Sequence, residues 1–173
     1  DLMWEGPEED LVLTMNAQPA ILTHSVGVLR IIRDQLGEVT MAAGHSLGEF
    51  SAHVSAGTVS FDEALELVRL RGELMAQAGR SRPGTMAAVL GMEDEEVEAL
   101  CEEASDPPES VVVPANFNSV GQVVISGDLE GIDRAADLGP ERGAKAIVRL
   151  SVSGAFHSPL MKPAKEGLRA RLQ

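Results

Sequence analysis

The stretch from Gly44 to Phe50, which reads Gly-His-Ser-Leu-Gly-Glu-Phe, contains a serine whose surroundings suit nucleophilic chemistry. The G-x-S-x-G pattern is functional when it forms a tight turn that joins a strand to a helix and exposes the serine at its tip. The apolar run 39–43 predicts the strand, and residues 51–56 predict the helix, which Gly57 can end. The alternative is an ordinary glycine-bounded turn with an unreactive serine, because short motifs also match by chance.

The same turn gives the backbone of Leu47 a predicted role. Its N–H would lie at the N-terminus of the following helix, where backbone donors favour negative charge. Such a donor can stabilise the oxyanion that develops when Ser46 attacks a carbonyl carbon.

Ser46 is a weak nucleophile until a neighbouring base takes its proton. His157 is the candidate base, because it lies in a loop of small residues just before a helix predicted to begin at Pro159. It could equally cap that helix, and the residues alone leave both roles open.

Arg71 is the third candidate. It lies in a predicted helix, 61–78, whose start at Ser60 and Glu63 is a capping box. Helical spacing places it on an apolar stripe with Leu67, Val68, Leu74 and Met75. An arginine there is costly unless it meets an anion, although its stem could also carry the charge past the stripe to solvent. A serine nucleophile, a histidine and a carboxylate-binding arginine together describe acyl transfer on a substrate with a free carboxylate.

The elements that must position these residues fall into two groups. The Gly/Pro-rich stretch 78–84 predicts a domain junction. After it, strands and helices are predicted in the order β-α-β-β-α-β, at 86–90, 94–104, 111–117, 122–126, 128–142 and 144–150. That order is typical of a ferredoxin-like unit. We therefore expect a ferredoxin-like subdomain, 84–150, inserted into a larger α/β subdomain that contains 1–83 and 151–173.

Composition narrows the function further. The chain of 173 residues has a formal net charge of −13, which argues against a nucleic-acid partner. Residues 141–173 are the exception, with seven Lys or Arg against two Glu, and could receive an acidic partner. No run of eighteen apolar residues occurs, so we expect no membrane span. The single cysteine, Cys101, excludes an internal disulfide, suits a reducing, cytoplasmic location and is predicted to be a buried small hydrophobe.

Several stretches together resemble the malonyl-CoA:acyl carrier protein transacylases of type II fatty acid synthesis and the related acyltransferase domains of polyketide synthases. The resemblance covers essentially the whole chain in the same order. The matching stretches are 1–7, Asn16-Ala17-Gln18-Pro19-Ala20, the Gly44 to Phe50 turn, Arg71-Gly72, Asn116-Phe117-Asn118-Ser119, 121–127, and 154–161 with its Ala-Phe-His-Ser-Pro.

The resemblance implies an α/β fold with a hydrolase-like parallel sheet and a nucleophile elbow, carrying the inserted subdomain. It implies that Ser46 forms the acyl-enzyme, that His157 is its general base and later acid, and that Arg71 binds the malonyl carboxylate. It also implies that the Leu47 amide is one oxyanion donor. His45 would then lie behind the nucleophile rather than act on substrate.

The resemblance implies weaker roles for three further residues. Asn116 and Asn118 match asparagines near the family's cleft. Phe156, before the histidine, matches malonyl-type rather than methylmalonyl-type signatures, because its ring would crowd an α-methyl group. One methyl group discriminates by only about 1–3 kcal/mol.

The expected substrates are a coenzyme A thioester, malonyl-CoA, and the phosphopantetheine thiol of acyl carrier protein, with no metal and no further cofactor. Three alternatives remain: an acyltransferase domain of a polyketide synthase, a serine hydrolase that shares the elbow, and a non-catalytic domain that binds carrier protein or is a degenerate acyltransferase. The presence of Ser46, Arg71 and His157 disfavours the last. Val120 stands where the family often has proline. The family also has a glycine-glutamine loop before the stretch that matches residue 1, and a glutamine after residue 173. We therefore expect the sequence to be part of a longer enzyme.

Overall fold

The computed structural model describes all residues from 1 to 173. They form two compact units, the first made of Asp1–Leu74 and Leu168–Gln173 and the second of Met75–Gly167. None of the helices combines the length and the apolar character that crossing a lipid bilayer requires. Each unit has its own core, and each is described separately below.

The first unit is helical. Its elements are α1 (Leu2–Glu5), α2 (Glu8–Leu11), α3 (Thr14–Ile32), a short 3-10 helix (Arg33–Gln35), α4 (Gly48–Ser55), and the first part of α5 (Phe61–Ser81). Helices α3, α4 and α5 meet in one core, whose fully buried members are Leu22, Val26, Leu47, Ala64 and Val68. The turn that contains Ser46 is anchored in this core, because Leu47 belongs to it.

The predicted capping box at the start of α5 is confirmed. The Ser60 N–H donates to Glu63 Oε2 at 3.1 Å, and the Glu63 N–H donates to Ser60 Oγ at 3.2 Å. These reciprocal bonds satisfy backbone donors that a helix start leaves without a partner. Hydrogen bonds from Ser60 also lower the pKa of Glu63, because they favour the charged carboxylate.

The prediction of a strand over 39–43 is wrong for the chain described here. These residues belong to no strand, and Val39 and Met41 are 58% and 85% exposed. A strand exists only when its backbone hydrogen-bonds to a neighbouring strand. The four strands of the structure form one sheet, and none of them pairs with 39–43. The backbone of this apolar run therefore has no neighbouring strand in this structure.

The second unit contains the sheet. In chain order its elements are β1 (Gly84–Leu90), α6 (Asp94–Ala104), β2 (Val112–Ser119), β3 (Gln122–Asp128), α7 (Leu129–Leu138), a 3-10 helix (Gly139–Arg142), β4 (Ala146–Arg149), a second 3-10 helix (Pro159–Met161) and most of α8 (Lys162–Leu172). The strands lie in the order β2-β3-β1-β4, and every neighbouring pair is antiparallel. The structure is therefore α/β with a four-stranded antiparallel sheet. The helix predicted over 128–142 ends earlier than expected, because a 3-10 turn at Pro140 replaces its last part.

The two faces of the sheet have different coverings. Ala87, Val89, Val123 and Ile125 face α6 and α7 and form the larger core with Val97, Leu100, Cys101 and Ile132. The Cys101 thiol is buried there, as predicted, and burial raises its pKa to about 12, with a further contribution from the charge of Glu98. It is a packing residue and not a nucleophile. The opposite face, with Met86, Ala88 and Val124, is covered partly by Phe156.

Pro114 on β2 and Asp128 before α7 are two local features of the second unit. Strand β2 lies at the edge, and its register shifts between Pro114 and Asn116, because proline has no N–H to donate to a neighbouring strand. Asp128 immediately precedes α7, but its carboxylate makes no capping bond. It instead accepts hydrogen bonds from Arg82 at 2.7 and 2.8 Å and from the Val111 N–H at 2.8 Å. The bidentate guanidinium is the stronger partner for this carboxylate.

Helices α3 and α5 approach closely at Gly72. A Cβ atom on Gly72 would lie 2.6 Å from Met15 Cα and 2.9 Å from Thr14 O, closer than real Cβ atoms come to other atoms. The absent side chain therefore lets α5 lie directly against the first turn of α3.

We predict that Gly72→Ala destabilises the protein by about 1–3 kcal/mol, because the methyl group forces α3 away from α5. The matched control is Gly27→Ala, within α3, where an added Cβ would meet nothing within 4 Å. That change should raise the free energy of unfolding by roughly 0.5–1 kcal/mol, since alanine loses less backbone entropy in a helix. Denaturant unfolding of both variants measures the difference. Equal effects of the two substitutions would contradict the close-approach explanation.

Candidate active site

Ser46 lies at the tip of the turn before α4 in a conformation that favours glycine. Its φ is +52°, in the left-handed region that non-glycine residues rarely adopt. The turn is held by hydrogen bonds from the Gly48 N–H to His45 O at 2.8 Å and from the Glu49 N–H to Ser46 O at 3.3 Å. This is the strained geometry expected when a turn exposes a nucleophile.

The two glycines of the motif have different roles. A Cβ on Gly44 would overlap the carbonyl group of Gly48, so any other residue at position 44 would break the turn. A Cβ on Gly48 would meet nothing within 4 Å. Neighbouring backbone therefore requires glycine at position 44 but not at position 48.

Leu47 fixes the direction of the turn. Its side chain is 7% exposed and packs into the helical core, while the N–H on the same residue donates to no backbone carbonyl. The residue immediately precedes α4, so that N–H lies at the helix N-terminus. A donor held in this way is suited to a negatively charged oxygen beside Ser46.

Arg71 contacts Ser46 directly. Its Nη2 donates a hydrogen bond to Ser46 Oγ at 3.1 Å, so the structure brings together two residues that are 25 positions apart. The side chain is half-buried, and burial lowers the pKa of the guanidinium, partly offset by the charge of Glu49. The alternative in which Arg71 extends past the apolar stripe to solvent is therefore wrong. Its cation is kept beside Ser46.

The sequence analysis did not predict a role for Gln18 in the site. Arg71 Nη1 donates to Gln18 Oε1 at 2.6 Å, and Gln18 Nε2 donates to Thr14 Oγ1 at 2.7 Å. The Gln18 residue is only 5% exposed. Its position could have indicated this, because it lies four and eight residues before Leu22 and Val26, on the buried face of α3. A glutamine on a buried face requires polar partners.

Arg69, on the same helix, provides a contrast. It makes an ion pair with Glu73 at 2.6 Å, and both side chains are nearly half exposed. It also donates to Met15 O and Asn16 Oδ1 on α3. Glu66, one turn before Arg69 on α5, lies 3.5 Å from Arg171. Arg69 is thus a surface residue, whereas Arg71 is directed to the serine.

His157 belongs to the second unit and is also held in an unusual conformation. Its φ is +59°, and its side chain is exposed. The cap of the following 3-10 helix is Ser158, whose Oγ accepts from the Leu160 N–H at 3.2 Å and donates to Ala155 O at 2.7 Å. The capping role left open for His157 is therefore filled by its neighbour.

The remaining predicted residues lie on the sheet side of the second unit. Phe156 is half-buried against the face that contains Met86 and Val124. Asn116 and Asn118 are on β2, where Asn116 pairs with Val124 and is half-buried, and Asn118 is exposed. No group of three or more His, Cys, Asp or Glu side chains is arranged to hold a metal ion.

Comparison with known proteins agrees with this geometry. The chain is 46% identical over 168 residues to a malonyl CoA-acyl carrier protein transacylase of Bacillus subtilis, covering 97% of this chain and 53% of that protein. A crystal structure of a malonyl-CoA:acyl carrier protein transacylase from Xanthomonas oryzae matches with a TM-score of 0.93 at 47% identity, over 99% of this chain and 54% of that one.

A further solved structure contains a malonyl-transacylase in complex with a type II PKS acyl-carrier protein. It matches with a TM-score of 0.91 and 42% identity, over 99% of this chain and 55% of that one. The chain thus spans about half the length of the relatives it matches. The sequence model of the acyl transferase domain covers residues 1–173. The chain belongs to the acyl transferase domain family.

Proposed function

We propose that the protein transfers a malonyl group from malonyl-CoA to the phosphopantetheine thiol of acyl carrier protein, through a malonyl ester on Ser46. The observation that carries this proposal is the 3.1 Å hydrogen bond between Arg71 Nη2 and Ser46 Oγ. It places a fixed cation directly beside a serine on a strained turn. The names of the similar proteins support the same reaction.

The position of Arg71 favours a short acyl group with a terminal carboxylate. In a malonyl ester, one methylene group separates the ester carbonyl carbon from the carboxylate. The carboxylate therefore stays within a few bonds of Ser46 Oγ, where the Arg71 guanidinium can bind it by charge-assisted hydrogen bonds. An acetyl group has no carboxylate for this cation, and binding it leaves the half-buried charge without an anion.

The reaction is a two-step, ping-pong transfer. In the first step the Ser46 Oγ–carbon bond forms, the carbon–sulfur bond of malonyl-CoA breaks, and His157 passes the serine proton to the departing thiolate. In the second step the thiol of acyl carrier protein loses its proton to His157 as its sulfur bonds to the carbonyl carbon. The bond between that carbon and Ser46 Oγ breaks, and His157 returns the proton to Ser46. The exposed imidazole of His157, in a loop whose cap is supplied by Ser158, supports this role.

The other site residues take supporting parts in the proposal. The Leu47 N–H stabilises the oxyanion of both tetrahedral intermediates, because it lies at the start of α4 without a backbone acceptor. Phe156 restricts the room beside an α-carbon and so selects malonyl over methylmalonyl groups. Asn116 and Asn118 are placed near the substrate only by the family resemblance. The reaction requires no metal and no cofactor beyond its two substrates.

We propose acyl carrier protein as the partner because a similar malonyl-transacylase was solved in complex with such a carrier. The seven basic residues of 141–173, against two acidic ones, supply the charge that an acidic carrier would meet. We also propose a cytoplasmic location, where the single reduced cysteine is stable.

For the fold, we propose that residues 84–150 are a ferredoxin-like subdomain inserted in a hydrolase-like α/β subdomain with a parallel sheet, to which 1–83 and 151–173 contribute. The antiparallel strand order β2-β3-β1-β4 and the β-α-β-β-α-β succession support the inserted part.

Ser46→Ala tests the nucleophile. We predict that the full-length protein, incubated with malonyl-CoA and no carrier, gains the mass of one malonyl group on the peptide that contains Ser46. The alanine variant should gain none, because no oxygen is left to acylate. Intact-protein and peptide mass spectrometry measure this. A malonyl adduct of equal yield on the alanine variant would overturn the assignment.

Arg71→Ala tests the carboxylate-binding role. We predict that kcat/KM for malonyl-CoA falls on the order of a hundredfold or more, since a charge-assisted pair of hydrogen bonds is lost. Activity with acetyl-CoA should be kept or increased. Arg69→Ala, two positions away on the same helix, removes an equal charge at the surface and should leave the malonyl preference intact. An unchanged malonyl preference in Arg71→Ala would refute the role.

A serine hydrolase would use the same turn, and hydrolysis separates the two activities. We predict that the malonyl ester on Ser46 is released slowly to water and at least tenfold faster to the thiol of phosphopantetheinylated carrier, as a transferase requires. Quenched-flow measurement of the decay of the adduct, with and without carrier, gives both rates. Equal rates would favour the hydrolase.

A further inference from the structure

The guanidinium of Arg71 is held by a part-buried series of hydrogen bonds that begins at Thr14, the first residue of α3. Thr14 Oγ1 accepts from Gln18 Nε2 at 2.7 Å, and Gln18 Oε1 accepts from Arg71 Nη1 at 2.6 Å. Arg71 Nη2 in turn donates to Ser46 Oγ at 3.1 Å. Four side chains from three parts of the chain are thus joined in one sequence of contacts.

The donors and acceptors of these side chains determine the direction of each hydrogen bond. A guanidinium has donors only, so the Gln18 amide must present its oxygen to Arg71. Its NH2 group then points the opposite way and needs an acceptor, because Gln18 is 5% exposed and an unpaired buried donor is costly. The Thr14 hydroxyl oxygen is the acceptor that the structure provides. Without it, the orientation that gives the oxygen to Arg71 would leave the amide NH2 without this acceptor.

We propose that Gln18 and Thr14 are positioning residues that set the selectivity of the site for carboxylate-bearing acyl groups. Gln18 holds one nitrogen of the Arg71 guanidinium, which fixes the plane of the group. Thr14 holds the Gln18 amide in the one orientation that can do so. This inference rests on the proposed function, in which Arg71 binds the carboxylate of the acyl group.

The close approach of α3 and α5 at Gly72 explains why Gln18 can reach both Thr14 and Arg71. Gly72 follows Arg71 on α5, and the position of its missing Cβ is within 3 Å of Thr14 O and Met15 Cα. The backbone of α5 therefore lies directly against the residue that begins the hydrogen-bond chain. Gln18 can bridge Thr14 and Arg71 because the two helices are this close.

Four variants of the full-length protein test the proposal through the ratio of kcat/KM for malonyl-CoA to kcat/KM for acetyl-CoA. Gln18→Met keeps the length but removes both hydrogen bonds, and should lower the ratio roughly ten- to a hundredfold. Gln18→Glu places an internal anion on the guanidinium and should lower it at least as far. Thr14→Val should lower it by a smaller factor, about three- to tenfold, because Gln18 Oε1 can still reach Arg71 part of the time. Thr14→Ser retains the hydroxyl and should restore the ratio to within about twofold of wild type.

Thr23→Val is the matched control. Thr23 lies on the same helix as Thr14, and its hydroxyl donates to Pro19 O at 2.8 Å without touching Gln18 or Arg71. This variant should leave the ratio unchanged. If Gln18→Met and Thr14→Val lower malonyl and acetyl transfer equally, the two residues serve stability alone and the proposal is wrong. The proposal is equally wrong if the ratio does not change in any variant.

A second measurement tests the positioning without any acyl-CoA. In full-length protein that contains isotope-labelled arginine, NMR reports how fast the Arg71 guanidinium rotates. The Arg71 signal is the one that disappears in Arg71→Lys. Rotation should be slow in wild type and Thr14→Ser and faster in Gln18→Met and Thr14→Val. Fast rotation in wild type overturns the positioning role. Slow rotation in wild type that the variants relax, together with no malonyl adduct on Ser46, overturns the proposed function and leaves the positioning role standing.

Discussion

The half-buried positive charge of Arg71 is the constraint on which the first unit depends. Taking a guanidinium out of water is costly, and burial lowers the pKa of Arg71 accordingly. The two groups that accept its hydrogen bonds, the Gln18 amide oxygen and the Ser46 hydroxyl, are neutral, and the charge of Glu49 offsets part of the cost of burial. A carboxylate bound directly to the guanidinium would have occupied the donors that an external anion needs. Neutral partners keep Arg71 in place and leave the charge itself available to an anion that arrives from outside.

Ser46 and the Arg71 cation are positioned by the same packed helices. Leu47, next to Ser46, is buried with Leu22 of α3 and Val68 of α5. Helix α3 carries Gln18, and α5 carries Arg71, so the same apolar contacts that stabilise the three helices also set the distance between serine and arginine. The energetic contribution of the core and the geometry of the site are therefore inseparable in this unit. A substitution that loosens the core should change selectivity as well as stability.

Much of this arrangement could be predicted from local patterns. The serine turn, the capping box at Ser60 and Glu63, the apolar helix stripe that carries Arg71, and the order of elements in the sheet each follow from short-range signals in the sequence. The strand at 39–43 could not be judged, because a strand depends on a neighbour that periodicity does not reveal. Gln18 was missed for a related reason: its role appears only when Arg71, 53 positions away, folds against it. The different demands on Gly44 and Gly48 also required the folded backbone.

The burial of Cys101 gives the chain a property that has nothing to do with acyl transfer. Its thiol lies in the core between the sheet and the helices α6 and α7 and is the only one in the molecule. Because its pKa is about 12, almost no thiolate exists at neutral pH while that core is closed. Ser46, by contrast, belongs to the other unit. With Ser46 as the proposed nucleophile, a thiol-directed dye and a serine-directed probe would record the opening of one unit and the integrity of the other in the same sample, with no residue introduced by mutation.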